Sequence, residues 1–204
     1  MSEIRLPAPR CHNKICLIDL LARRRSVRTY SQQPLSLQEV SNLLWACDGQ
    51  TVSWGGRTAP SAGATYPLNI YLVAGNVEQL SPAFYAYNIQ EHSLKLLLSS
   101  DLRNNLARAA YGQSMLKEAP ATIVITASPE RTTTRYGQRG WRYIFMESGH
   151  CGQNIHLLAV DLDLATVMVG AFDDHQVQAC LQLSEEVLYL CPVGHPSSAH
   201  EPKQ

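Results

Sequence analysis

The apolar positions of this chain repeat with two periods, and the change from one to the other marks out its elements. Leu17, Leu20 and Leu21 lie three and four apart, which predicts a short amphipathic helix over 16–24. Pro34-Leu35-Ser36-Leu37 introduces a second helix. Ser36 or its neighbour is placed to cap it, Glu39 sits three residues on as in a capping box, and Val40, Leu43, Leu44, Ala46 and Cys47 form its inner face. Asn69–Ala74 is rich in β-branched and aromatic residues and reads as a strand. Ala83–Ile89 and Ser93–Leu98 flank a polar Gln90-Glu91-His92, the pattern of a hairpin. Helical pieces follow from Asp101 to Ala110 and on to Glu118, then a buried strand over Thr122–Thr126.

Residues 136 to about 162 read as one central helix of roughly 26 residues, about 40 Å long. Its middle, Ser148 to Asn154, is small and polar. Glycines inside a helix are destabilising unless another backbone packs against them, which predicts a crossing with another helix, within the chain or across a dimer axis. A strand over Ala165–Val169 ends at Gly170, Asp173 or Asp174 caps a helix to Leu181, and Val187–Val193 is a last strand. Helices and strands alternate irregularly and include a hairpin. The expected class is therefore α+β, a mixed, antiparallel-containing sheet flanked by helices with a long central helix. A single domain over 1–204 is expected, with an extended arm at 1–15 and a short polar tail at 197–204. No Gly-x-Gly-x-x-Gly follows a strand, which leaves a Rossmann dinucleotide site unsupported.

Composition narrows the function more than the fold. Seventeen basic and seventeen acidic residues cancel, so no overall field draws the chain to nucleic acid or an anionic membrane. Six cysteines are scattered, with no Cys-x-x-Cys, and no apolar run approaches the ~18 residues of a membrane span. Met1 to Pro9 lacks the shape of a secretory leader. A reducing cytoplasm with free thiols is the expected setting.

Against that neutral background, Arg24-Arg25-Ser26-Val27-Arg28 gathers three guanidiniums and a hydroxyl into five residues. Arginine presents a rigid fork of donors matched to phosphate, so this stretch suits an anion. The alternative is a basic last turn that relieves the helix dipole. Between 49 and 67 the chain carries Gly49, Gly55, Gly56, Pro60, Gly63 and Pro67, a long loop that turns sharply or approaches something closely. His150, Cys151 and His156 do not share a helix face, and Cys11-His12 with Cys16 lacks further ligands, so no metal is assigned. Ser61 has no Gly-x-Ser-x-Gly elbow around it.

Seven motifs stand in one order: Arg24 to Arg28 followed by Pro34-Leu35-Ser36; Leu43-Leu44-Trp45-Ala46; Pro60-Ser61-Ala62-Gly63-Ala64 with Tyr66-Pro67; Tyr136-Gly137-x-Arg139-Gly140-x-Arg142-Tyr143; Glu147-x-Gly149-His150-x-x-Gln153-Asn154; Gly170-Ala171-Phe172-Asp173; and Pro192 to Pro196. With these the chain resembles the FMN-dependent nitroreductase family, nearest the branch of the SagB-type azoline dehydrogenases. The resemblance implies an intertwined homodimer with two flavins at the subunit interface. It implies that Arg24, Arg25, Ser26 and Arg28 hold the phosphate and ribityl chain. Pro60, Ser61, Ala62 and Gly63 would come from the partner subunit and lie beside the isoalloxazine, and Gly170 and Ala171 would offer backbone groups near its N5 edge. Many members add a C-terminal basic residue to the phosphate site; here Lys203 is the one available. Azoline dehydrogenases carry a lysine-tyrosine pair where this chain has Arg135-Tyr136, the two catalytic candidates. An arginine stays charged and is a poor proton acceptor, while Tyr136 is able to act as acid or base or to orient a substrate.

The expected activity is an NAD(P)H-dependent two-electron reduction of a small nitroaromatic or quinone-type acceptor. The alternatives are oxidation of azolines on a peptide, or a non-catalytic flavin-binding subunit.

Overall fold

The computed structural model describes residues 3–13 and 15–197. One seven-stranded sheet organises them: β1 (Glu3–Arg5), β2 (Leu68–Ala74), β3 (Ala83–Asn88), β4 (Ser93–Leu98), β5 (Ala121–Ala127), β6 (Ala165–Thr166) and β7 (Glu186–Gly194), in the order β1-β4-β3-β2-β5-β7-β6. Every pairing between these strands is antiparallel, so the sheet is more uniform than the mixed one expected. The β3–β4 pair is the anticipated hairpin.

Strand periodicity divides the core. Along β2, Leu68, Ile70, Leu72 and Ala74 face one side and Tyr71 and Val73 the other; along β5, Ile123 and Ile125 oppose Val124. The first side is covered by α2 (Leu37–Asp48) and α6 (Gly140–Asp161), through Val40, Leu43, Leu44, Ile144, Cys151 and Ile155. The second is covered by α3 (Arg103–Ala109), α4 (Ser114–Glu118) and α7 (Asp174–Leu181), through Leu106, Leu116, Val177 and Leu181. Both faces of β2 and β5 are thus dry, as their near-continuous apolar sequences require. The α2 helix starts as its sequence predicts: Ser36 accepts from the Glu39 amide and the Glu39 side chain reaches back to the Ser36 amide. Asp173 caps α7 by accepting from Gln176 N.

Three expectations change. The central helix is shorter and starts later: α5 (Glu130–Tyr136) ends at Gly137, whose φ of 55° and ψ of −145° only glycine adopts readily, and α6 begins at Gly140. At 22 residues α6 is about 33 Å long. Second, the 165–169 strand pairs only as far as Thr166, although Val169 bridges Leu190 in the same register. The gap falls opposite Pro192, which has no N–H to give the ladder; Thr166 Oγ1 donates to the Pro192 carbonyl instead. Third, of the two crossings expected at the glycines of α6, the one within the chain is not made by any helix of the described residues. Gly152 lies against Met168, and Gly149 faces open space beside exposed His150 and Gln153. Among the described residues no helix is long and apolar enough to cross a membrane.

The remaining helix, α1 (Leu17–Arg23), buries nothing completely, and Leu17, Ile18 and Leu21 are at least half exposed. Cys47, Cys151 and Cys191 are buried as expected of free thiols, but Cys11 and Cys16 are exposed.

Candidate active site

The Arg24–Arg28 segment leaves α1 in extended form and is tied to the sheet edge where Val27 N donates to Thr166 O at 3.0 Å. Arg25 folds back, its Nη1 donating to the carbonyls of Ala22 and Arg24, both at 2.8 Å. Arg24 and Arg28 have no carboxylate partner among the described residues, and Arg25, Ser26 and Arg28 are exposed. The neighbouring His156, on α6, is buried; its pKa is held down to about 4 by burial and by the charge of Arg24. This corner presents guanidiniums without a carboxylate partner among the described residues beside a neutral imidazole, an arrangement able to receive an anion. Gly170 and Ala171 end the segment that begins at β6, both exposed, and Gln113 Nε2 steadies it by donating to the Ala171 carbonyl at 2.7 Å. A methyl group on Gly170 would meet Tyr189 at an ordinary 3.7 Å, so space alone does not demand glycine there.

The Pro60–Gly63 loop lies elsewhere, at the N-terminal part of α6. Its backbone is wound into the left-handed region at Gly63 (φ 61°), Ala64 (φ 53°) and Tyr66 (φ 45°). Two of these carry a side chain, a conformation that costs about 1 kcal/mol or more apiece and persists where its surroundings hold it. The holding contacts are visible. Ser61 Oγ accepts from Tyr66 N at 2.9 Å, Ala62 O accepts from Thr65 Oγ1 at 3.1 Å, and Thr65 Oγ1 meets Thr132 Oγ1 at 2.7 Å. Arg135 Nη1 donates to Gly63 O at 3.1 Å and its guanidinium lies 5.3 Å from the Tyr136 ring centre. The fit is close: a β-carbon on Gly63 would stand 2.4 Å from the Tyr136 hydroxyl and 2.8 Å from Arg135 Nη1. The two catalytic candidates and the glycine loop are therefore one assembly.

Beneath the loop are groups to which the sequence reading assigned no role. Asp48, at the end of α2, is fully buried, with one oxygen paired to Arg57 and the other without a partner. Glu147, on α6, is 2% exposed; its Oε1 also lacks a partner, and the carboxyl lies beside Ser61. Burial pushes Asp48 up to about 6, opposed by Arg57. Burial pushes Glu147 up to about 7, with the Asp48 charge adding to it and the Ser61 hydroxyl and Arg57 opposing. Two buried carboxyls lie within reach of one guanidinium that pairs with Asp48 alone, and both are held toward their protonated forms. Glu147 stands in a quoted motif, yet spacing alone does not show that it is buried.

Within this chain the candidates form two groups: Arg24–Arg28 with Gly170 and Ala171, and Pro60–Gly63 with Arg135 and Tyr136. No hydrogen bond or ion pair joins them, and the α6 residues beside each, His156 and Glu147, are nine positions apart, about 13 Å along the helix. Lys203 lies outside the described residues. His150 is exposed and His156 buried.

An antiparallel sheet with helices on both faces, an arginine-rich segment at one end of a long helix and a strained loop at the other make up an α+β fold of the nitroreductase type. Residues 21–195 match the nitroreductase family, and the chain belongs to it. A nitroreductase-type relative, MJ1384 of Methanocaldococcus jannaschii, is 44% identical over 192 residues, 94% of this chain and 96% of that one. The crystal structure of a nitroreductase-type protein from Ralstonia eutropha is 28% identical, with a TM-score of 0.84 over 96% of this chain and 90% of its own. A chain of the Escherichia coli microcin synthetase McbBCD complex, solved with truncated pro-MccB17 bound, shares the fold at 22% identity, with a TM-score of 0.76 over 94% of this chain and 77% of that chain.

Proposed function

We propose that this chain is an FMN-dependent oxidoreductase that works as a homodimer, taking hydride from NAD(P)H and reducing a small nitroaromatic or quinone-type acceptor. The observation that carries the reading is the Arg24–Arg28 segment, where guanidiniums without carboxylate partners among the described residues stand beside a neutral buried histidine. Arg24, Arg25, Ser26 and Arg28 hold the phosphate and ribityl chain. Gly170 and Ala171 line the ring edge, and Lys203 adds to the phosphate site. When bound, the flavin supplies reversible storage of two electrons and accepts or gives hydride at its ring.

The separation of the two groups supports the dimer. Pro60–Gly63, Arg135 and Tyr136 of one subunit complete the site built on Arg24–Arg28 of the other. The uncovered face of α6 at Phe145, Met146 and Gly149, with the apolar side of α1, supplies a surface of the kind that association buries. In such a site Arg135 holds the Gly63 carbonyl and fixes the turn, Tyr136 orients the acceptor or passes it a proton, and Glu147 stores a proton beneath Ser61.

The test is direct. Protein reconstituted with FMN has a flavin absorption band that NADH or NADPH bleaches and a nitroaromatic restores. Protein that stays colourless after incubation with FMN contradicts the proposal. Flavin that dithionite bleaches but no acceptor reoxidises marks a non-catalytic binding subunit instead. A second reading, oxidation of azolines on a peptide, draws on the fold shared with a chain of a microcin synthetase complex. Arg135 in place of a lysine weighs against it, because an arginine does not accept a proton. Turnover of an azoline peptide without turnover of NAD(P)H would favour it.

A further inference from the structure

Two guanidiniums bond the loop around Gly63, and a third lies over the tyrosine pair that packs against it. Arg131 Nη1 donates to Tyr66 O at 3.2 Å and Asn69 Oδ1 at 3.0 Å, and Arg135 Nη1 donates to Gly63 O at 3.1 Å. Arg139 lies over the Tyr143 ring, 5.9 Å from its centre, and the Tyr143 and Tyr136 rings meet edge to face at 5.0 Å. Arg131, Arg135 and Arg139 are all exposed, and none has a carboxylate within ion-pair distance among the described residues. Residues 130–142 hold four arginines against the single Glu130, in a chain whose charges otherwise cancel. A guanidinium has five N–H donors, and the bonds named above use only part of that capacity.

We propose that this rim selects a planar aromatic electron acceptor that bears a carboxylate. The inference rests on the proposed flavin chemistry and specifies its substrate class. An aromatic ring packs on the tyrosine rings, while its carboxylate meets the arginine forks, which match a planar oxyanion through two parallel bonds. The anion sits next to the reacting ring rather than at the far end of a long nucleotide, because Arg135 Nη1 and the Tyr136 hydroxyl both crowd the Gly63 turn itself. For a nitro acceptor the balanced step takes one nitroarene, one NAD(P)H and one proton to a nitrosoarene, NAD(P)+ and one water. Two electrons leave the nicotinamide, one N–O bond breaks, and the oxygen departs as water.

The experiment compares 4-nitrobenzoate with 4-nitrobenzamide, which match in shape and differ in charge, on FMN-loaded wild-type protein, Arg139→Gln and Arg108→Gln, an exposed arginine on α3. Equilibrium binding of benzoate and benzamide, followed by tyrosine and tryptophan fluorescence, is measured alongside with and without FMN. The rim predicts that kcat/KM and affinity favour the carboxylate by about tenfold, the size of one charge-assisted contact, and that the preference shrinks with added salt. Arg139→Gln lowers the benzoate-to-benzamide ratio several-fold and Arg108→Gln leaves it unchanged. Protein that takes up no FMN overturns the proposed function. Protein that binds FMN and turns over but shows no preference between the two acceptors overturns this inference, and so does a salt and Arg139→Gln effect confined to the KM of NADPH.

Discussion

The two ends of α6 hold the two halves of the candidate site, and they are built on opposite principles. At the Arg24–Arg28 end the backbone leaves α1 in extended form with no left-handed residue, the side chains are exposed or partly exposed, and the guanidiniums have no carboxylate partner among the described residues. At the Pro60–Gly63 end the backbone runs through three left-handed residues, with Arg135, Thr132 and Ser61 bonded to the loop and two buried carboxyls beneath it. The first half is ready for a ligand that brings charge. The second is shaped by its own protein, which places its donors before any ligand arrives. Charge marks the first half in the sequence and glycine and proline content the second, but only folding brings Arg135 and Tyr136 onto the Gly63 turn.

The largest effect should come from the pair under the loop. Arg57→Ala leaves Asp48 buried without its partner, a change that costs about 3 kcal/mol or more at pH 8 in chemical denaturation. Because Asp48 sits near 6, the loss should be smaller at pH 5, where the carboxyl takes up a proton. An equal loss at both values would show that Arg57 acts through packing alone. At the other end, Arg24→Ala should weaken FMN binding by roughly tenfold without a comparable loss of stability, since it removes a charge-assisted contact from an already partly exposed side chain. Unchanged affinity in a titration would place the phosphate elsewhere.

Glu147 sharpens the contrast through pH. Its folded-state pKa of about 7 stands above the ordinary 4.5, so between those values the unfolded chain releases a proton that the folded chain keeps. The folded state binds more protons across that window, and stability from this group is full below 4.5 and lost as the pH rises to 7. Glu147→Gln removes that slope. At pH 8 its Tm should exceed the wild type's by a few degrees, at about 2–4 °C per kcal/mol for a chain of this size. Parallel Tm profiles for the two proteins would mean that Glu147 ionises freely.

The smallest effects separate the two candidate glycines. Gly63→Ala must hold φ at 61° and fit a methyl against Tyr136 and Arg135, and should lose about 1 kcal/mol of stability. Gly170→Ala meets only Tyr189 at 3.7 Å and should lose less than about 0.5 kcal/mol. Similar losses for both would erase the distinction between a shaped half and an open one.

Where one residue's chemistry decided the outcome, the sequence was legible. Ser36 and Glu39 announced the start of α2, and the β-branched and aromatic residues of Asn69–Ala74 announced the strand β2. It was not legible where tertiary contacts decided. Gly137 reads as an ordinary residue of a helix until its φ and ψ break the chain there, and nothing local marks Ala64 or Tyr66 as left-handed. The ladder gap beside Met168 is set by Pro192, more than twenty residues away. Asp48, Arg57 and Glu147 come from three segments, and only folding shows that two acids lie within reach of one base.

The central claim is that two copies of this chain clasp flavin between the arginine end of one and the glycine turn of the other. Sedimentation of FMN-saturated protein, followed at the flavin band and at the protein band, tests it most directly. The account predicts one species of about 45 kDa, twice the chain's 22.6 kDa, carrying one FMN per chain. A stable monomer that carries FMN, or a dimer that carries none, would contradict it.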